Sequence, residues 1–278
     1  MYNYEYSTTI AKPLPQVWDA MWGPNNHPIW TAAFAPASYV VTTFEIGSPF
    51  NWLDANGNGF YGQIKNIVPL QMVHLEYNGE IKAYQKQNNT AATWANINEI
   101  YSLETNNEST QVKIKITIGE SYFDYIHNAV PKALAILKLK VERNLISVVT
   151  TINATIENIW HAFNTPSCIM QWNHASPDWH TPQAINNLQV GENFNYTMAA
   201  KNGSFAFNFE GTYTEIVTHK LINYTLADNR LVKILFIKMQ TGVKIIQCFE
   251  PEKVNSPQMQ QTGWQAILNN FKLFVEAN

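Results

Sequence analysis

The chain has 278 residues, 46% of them hydrophobic and 14% charged, with a formal net charge of −3. That length suits one large domain or two of roughly 140 residues, and so low a charge fraction excludes a disordered, strongly acidic or polybasic chain. A nucleic-acid-binding surface needs a basic excess that is absent. Aromatic residues are in excess, with 9 Trp, 13 Tyr and 14 Phe.

The chain opens on a strand-like run, Tyr2 to Ile10. It has no basic start leading into an apolar stretch, so no secretory signal is expected. Pro13 and the apolar pair Val17-Trp18 predict a short helix, and a second follows Pro24 and ends near Trp30. Several strands come next. Asn56-Gly57 and Asn58-Gly59 predict a tight hairpin, and Gly62 a bulge. Residues 57–62 spell G-x-G-x-x-G, but a dinucleotide site needs that pattern between a strand and a helix. Here Gln63 to Pro69 continues as strand, so the pattern reads as a turn. A polar run, Gln85 to Thr90, lies in an extra segment of this half. The helical period of Tyr122, Ile126, Ala129, Ala133 and Leu137 predicts a long helix, with Pro131 expected to kink it. The most apolar stretch, Val130 to Val141, is broken by Lys132, Lys138 and Lys140, so no membrane span is expected.

The pattern then begins again. Leu145 to Ile152 reads as strand, Thr155 with Ile159-Trp160 opens a helix, and Pro166 to Trp172 supplies a second. Lys201-Asn202-Gly203 marks a turn. Phe205, Phe207 and Phe209 alternate with Ala206, Asn208 and Glu210, the period of a strand. Gly211 predicts a bulge. Ser256 before Pro257 caps a last helix whose apolar stripe is Trp264, Ile267, Leu268, Phe271 and Val275. Gly263 within it costs about 1 kcal/mol against Ala, so close packing or a gap is expected there. Without a gap, Thr9-Ile10 falls on Thr151-Ile152, Trp18 on Trp160, Ala20 on Ala162, Pro24 on Pro166 and Trp30 on Trp172. After small insertions, Gly47 meets Gly191, Phe50 meets Phe194 and Gly62 meets Gly211. Trp is rare, so two matched pairs at one spacing mark an internal duplication. The period is that of a domain, not of a solenoid repeat. Strands in runs with segregated helices indicate an α+β class, with domains at 1–142 and 143–278. The two cysteines, Cys168 and Cys248, make no disulfide framework and no CxxC. Free thiols in a reducing, cytoplasmic protein are the expectation.

Gln171 to His180, Phe209 to Glu215 and Gly263 to Phe271, with Thr151 to Ala154 and Trp160, carry a recognisable pattern. In these stretches the second half resembles the family named after the activator of the heat-shock protein 90 ATPase, in the START-like (SRPBCC) superfamily. The first half keeps Trp18, Trp30, Gly47 and Gly62 and looks like a diverged copy. The resemblance implies two helix-grip domains, each a curved antiparallel sheet of about seven strands wrapped on a long C-terminal helix. It also implies an apolar cavity between sheet and helix. Members bind lipids, polyketides or other hydrophobic molecules, and a few are enzymes, so the implied partner is a small hydrophobic molecule. A chaperone partner rests on the family name alone.

The candidate cavity residues are the aromatics of the second half: Trp172, Trp179, Tyr196, Phe205, Phe207, Phe209, Tyr213, Tyr224, Trp264 and Phe271, with Phe194 beside them. Apolar pockets use aromatic walls and a few polar groups; the competing reading is a solid core. His174, Asp178 and His180 are candidate rim residues. Their spacing is no standard zinc signature, so no metal is expected, and no cofactor. Glu210, Glu215, His74 and Glu76 are the candidates for acid–base work, which requires one of them to face the cavity. Without that, no catalytic residue is assigned. Three readings remain: a hydrophobic-ligand binder, an enzyme using the same cavity, or an interaction module with segment 81–93 as a docking loop.

Overall fold

The computed structural model describes residues 1–87 and 97–278. They form two compact units, Met1–Arg143 and Asn144–Asn278. Unit one runs β1 (Tyr2–Ile10), α1 (Leu14–Trp22), α2 (His27–Thr31), β2 (Tyr39–Val41), β3 (Pro49–Leu53), β4 (Gly59–Val68), β5 (Met72–Lys82), β6 (Gln85–Lys86), β7 (Asn98–Asn106) and β8 (Ser109–Ile118). A 3₁₀ turn, Glu120–Tyr122, leads into α3 (Phe123–Glu142). Unit two runs β9 (Ile146–Ile152), α4 (Ile156–Asn164), α5 (Pro166–Trp172), β10 (Trp179–Asn186), β11 (Asn193–Ala200), β12 (Ala206–Val217), β13 (Leu221–Leu226), β14 (Leu231–Lys238), β15 (Val243–Phe249) and α6 (Pro257–Ala277).

Both sheets are antiparallel and curved. The order is β1-β8-β7-β5-β4-β3-β2 in unit one, with β6 paired to β5, and β9-β15-β14-β13-β12-β11-β10 in unit two. Strand for strand the connectivity is the same apart from β6, so the duplication in the sequence is a duplication of fold. Local chemistry repeats as well. The Trp30 indole N–H donates to the Met21 carbonyl at 3.0 Å, and that of Trp172 to the Ala162 carbonyl at 3.0 Å. Each bond satisfies a buried donor and ties the second short helix of its unit to the end of the first. The Thr155 hydroxyl accepts from the Asn158 amide at 3.2 Å at the start of α4, and Ser256 accepts from Met259 at 3.2 Å at the start of α6. Such caps satisfy amides that the first turn leaves without partners. Helix α1 has no side-chain cap among the described residues; Pro13 stands at its N-cap position and Pro15 in its first turn.

Each long helix lays one stripe on its sheet. Val130, Ala133 and Leu137 of α3 join Ile114 and Ile116 of β8. Leu268, Phe271 and Val275 of α6 join Phe236 of β14 with Ile245 and Phe249 of β15. Full burial of one such side chain is worth about 1.5–3 kcal/mol. Pro131 sits on the exposed side of α3, which remains one helix from Phe123 to Glu142.

The sequence predicts bulges at both Gly62 and Gly211. In unit one the register does shift between Tyr61 and Gly62. In unit two the shift falls later, between Tyr213 and Glu215, and Gly211 pairs regularly with Phe194 and Leu226. Gly211 has another cause. A Cβ there meets the Thr225 carbonyl at 2.6 Å and the Phe194 ring at 3.0 Å, and at Gly62 it meets the Glu76 carbonyl at 2.1 Å and the Phe50 ring at 2.6 Å. In each unit an aromatic ring of the neighbouring strand lies over a bare backbone. The 57–62 pattern is the β3–β4 hairpin. Asp54 Oδ1 accepts from the amides of Asn56 at 2.7 Å and Asn58 at 2.9 Å, and Gly57 takes φ +74°. Strand β4 follows, not a helix. Of the expected docking segment 81–93, residues 88–93 lie outside the described residues, as does the end of the polar run.

Gly263, by contrast, has open space beside it: a methyl group placed there meets nothing within 4 Å. It marks a gap and no close packing. Two glycine substitutions therefore have opposite signs. Gly211→Ala is expected to destabilise by about 1–3 kcal/mol through overpacking. Gly263→Ala is expected to stabilise by about 1 kcal/mol through helix propensity. Urea unfolding of the two variants against the parent checks both.

Candidate ligand cavity in unit two

Between the concave face of the second sheet and α6 lies a cavity of about 360 Å³. Its floor is the ring of Phe194, whose centroid is 4.8 Å from Tyr224, 5.0 Å from Tyr196, 5.4 Å from Tyr213 and 5.7 Å from Phe209. Strand period two brings Phe207, Phe209 and Tyr213 of β12 to its wall. Trp264 closes the helix side, stacked on Phe249 at 4.0 Å and edge-on to Phe209 at 5.8 Å. Ile267, one turn on, lines the same wall, and Trp172 with Phe163 lines the end beneath α5.

Polar groups line the rest. Asn173, Arg230, Gln247, Glu252, Asn255 and Gln260 all border the space. The Arg230 guanidinium donates to Asp228 at 2.7 Å and to the Glu250 carbonyl at 3.3 Å. Glu252 accepts from the backbone amides of Val254 and Asn255, and these bonds hold its carboxyl below the usual range. The Gln260 amide accepts from the Glu252 N–H at 2.9 Å and donates to the carbonyls of Glu252 at 3.1 Å and Asn255 at 2.8 Å. It thereby straps the 252–255 loop to the first turn of α6. The cavity reaches solvent between this loop and β12, where Asn255 and the Phe207 ring are exposed.

Of the residues singled out by sequence, Trp172, Tyr196, Phe207, Phe209, Tyr213, Tyr224 and Trp264 border the cavity. Trp179, Phe205 and Phe271 do not. Phe271 is fully buried behind the wall, 4.8 Å from Trp172 and 5.1 Å from Phe163. Trp179 and Phe205 pack on each other at 6.2 Å and on Phe207 at 6.0 and 6.1 Å, and Phe205 is 59% exposed. Period two alone puts Phe205 in line with Phe207, but β12 begins only at Ala206. His174, Asp178 and His180 do not border the cavity either. The Asn270 amide of α6 donates to the His174 carbonyl at 2.6 Å and lies 3.0 Å from its Nδ1, so His174 anchors its loop to the helix. Among the described residues no group of three His, Cys, Asp or Glu is placed to hold a metal. Glu210 and Glu215 point to the outer face, bonded to Asn195 at 2.8 Å and Asn223 at 2.6 Å. His74 and Glu76 belong to unit one, where Glu76 pairs with Lys65 at 3.1 Å.

Sequence reasoning missed Arg230, Gln247 and Gln260. The signal was present for two of them. Val243, Ile245, Gln247 and Phe249 share one strand face, and Gln247 is the polar interruption. Gln260 extends the stripe of Trp264 and Ile267 by one turn.

The family model "Activator of Hsp90 ATPase homolog 1-like protein" matches residues 153–276, which hold every lining residue of this cavity. The AHSA1-like protein from Aeromonas hydrophila is 41% identical over 48% of this chain and 92% of its own, with a TM-score of 0.46. The chain belongs to the AHSA1-like family. Chr148 from Cytophaga hutchinsonii is 47% identical, over 49% of this chain and 94% of its own, with a TM-score of 0.44. The model match places this AHSA1-like relationship in unit two. A di-domain ARO/CYC, BexL from the BE-7585A biosynthetic pathway, covers 100% of the chain and 98% of its own at 13% identity and a TM-score of 0.45. No curated protein matches. No helix among the described residues is long and apolar enough to cross a membrane.

Burial sets the electrostatics of this AHSA1-like unit. It raises the phenols of Tyr196 and Tyr224 well above the ordinary value of 10, and that of Tyr213 to about 12. Tyr213 also donates to Asn186 Oδ1 at 2.5 Å. The folded state therefore keeps a proton that the unfolded chain loses near pH 10. Its stabilising effect is intact below pH 10 and is lost as pH rises to about 12. Urea midpoints should fall across that window in the parent and fall less steeply in Tyr213→Phe. In unit one His27 shows the opposite sign. Both its ring nitrogens are buried without a hydrogen-bond partner among the described residues, and burial lowers it to about 3. Stability from neutral His27 is present above pH 6.5 and is lost as pH falls toward 3. Acid unfolding of His27→Phe should start at a lower pH than that of the parent.

Proposed function

We propose that unit two binds a small hydrophobic molecule in the cavity between its sheet and α6. The observation that carries this reading is the cavity itself: about 360 Å³ of space walled by Phe194, Phe209, Tyr224, Trp264 and Ile267 and open at one side. Ligand pockets of roughly 300–1,000 Å³ with apolar walls and a few fixed polar groups suit small organic molecules. Apolar burial supplies roughly 25 cal/mol per Å² before the entropy of association is subtracted. The walls are ordered before the ligand arrives, because Phe194 is pinned over Gly211 and Trp264 over Phe249. That pre-organisation reduces the cost of binding. The polar groups at the opening have partners of their own: Arg230 on Asp228, Glu252 on two amides, Gln260 on the 252–255 loop. This favours binding over proton transfer, since Glu252 is the lining carboxylate and its oxygens are engaged in a turn.

Native mass spectrometry of protein purified gently from its own source tests the proposal, with organic extraction and titration by medium-chain apolar alcohols. The expected result is a discrete extra mass lost on denaturation, and saturable alcohol binding. Ile267→Trp, which fills the space without leaving a void, should weaken that binding at least about tenfold. A clean apo mass together with no saturable binding, or binding unchanged in Ile267→Trp, sinks the reading.

A further inference from the structure

Unit one holds a second site of different chemistry. Beneath the loop after α2 is a chamber of about 60 Å³, walled by Phe34, Trp52, Phe60, Tyr122 and Tyr125. By volume it admits roughly four water-sized groups. The same five rings border a wider surface groove, so the chamber is its inner end. The rings meet edge to face, Phe34 with Trp52 at 6.1 Å and Phe60 with Tyr122 at 6.0 Å.

At the inner end lies one carboxylate. Glu99 of β7 is only 7% exposed, yet it borders the chamber. It accepts from the Tyr101 hydroxyl at 2.5 Å and from the Tyr77 hydroxyl. Two phenols leave a carboxylate with further acceptor capacity. Among the described residues no Lys, Arg or His borders the chamber. A buried carboxylate with no counter-charge is costly, and here burial pushes its pKa up. The acids on the outer groove add to the negative field: Glu80, which accepts from the Tyr122 hydroxyl at 2.5 Å, and Asp54. Lys82 is the one cation on that outer part among the described residues.

Aromatic faces around a cationic head, with a carboxylate behind it, are how proteins hold organic ammonium groups. The geometry points to unit one as a binding site for a protonated organic amine, its ammonium on Glu99 within the rings and its apolar body along the groove. Neither the five rings nor Glu99 belongs to the stretch that matches the family model, which begins at residue 153. The site is thus independent of the ligand proposed for unit two.

Calorimetric titration of the full chain with 2-phenylethylammonium, and with 2-phenylethanol as the neutral molecule of matched size, tests this. The ammonium is expected to bind at least about tenfold more tightly than the alcohol. Glu99→Gln should remove most of that preference. Tyr125→Leu, at a half-exposed position that leaves the core intact, should weaken the ammonium by about tenfold or less and the alcohol hardly at all. Thermal unfolding checks that each variant is folded. Equal affinity for the two probes in the parent chain overturns the proposal without reference to any variant. So does the absence of ammonium binding, or ammonium binding that survives both substitutions.

Discussion

A curved sheet that grips a long helix needs room on its concave face, and in both units an aromatic ring takes that room over a glycine of the neighbouring strand. Phe50 rests on Gly62 and Phe194 on Gly211, with no room for a methyl group in either place. The contact does two things at once. It brings a ring down onto bare backbone where no side chain stands in the way, and it fixes that large ring on the concave face. In unit two that ring is the floor of the cavity, and the positions of Tyr196, Phe209, Tyr213 and Tyr224 are all set against it.

The two copies use one scaffold for different interiors. In unit one Trp22, Trp30 and Tyr101 meet edge to face at 5.0 to 6.4 Å and fill the middle. What space remains inside is small and lies toward the β3–β4 hairpin, next to Glu99. In unit two the short helices supply Trp172 and Phe163 to one end only, and a larger space stays open beneath α6. Unit one carries its polarity deep, as Glu99, His27 and the phenols of Tyr77 and Tyr101. Unit two keeps the charged groups of its cavity, Arg230 and Glu252, at the opening.

The duplication, both long helices and the sheet-forming strands were legible because they rest on local signals: rare Trp pairs at one spacing, period two, and the Ser256-Pro257 start. Seven of the ten aromatic positions assigned to the cavity border it for the same reason, since alternation on β12 and the stripe on α6 choose the face. Phe205 and Trp179 failed because a strand's first residue is set by pairing, not by its neighbours in sequence. The rim residues failed because a His-rich loop looks alike whether it lines a pocket or clamps onto a helix, as His174 does on Asn270. Gln260 escaped notice because a polar residue at a helix start reads as solvent-facing until its partners, here in a loop eight residues back, are known.

That Gln260 contact makes the two lips of the cavity unequal. One lip, the 252–255 loop, is held by three hydrogen bonds to a single side chain. The other is the Phe207 end of β12, whose ring borders the cavity and packs on Trp179 at 6.0 Å and Phe205 at 6.1 Å. The loop side of the opening is thus fixed by hydrogen bonds, and the sheet side is faced with aromatic rings. Phe205 and Phe207 are exposed and pack with Trp179, so an aromatic surface runs outward from the Phe207 ring at the cavity wall.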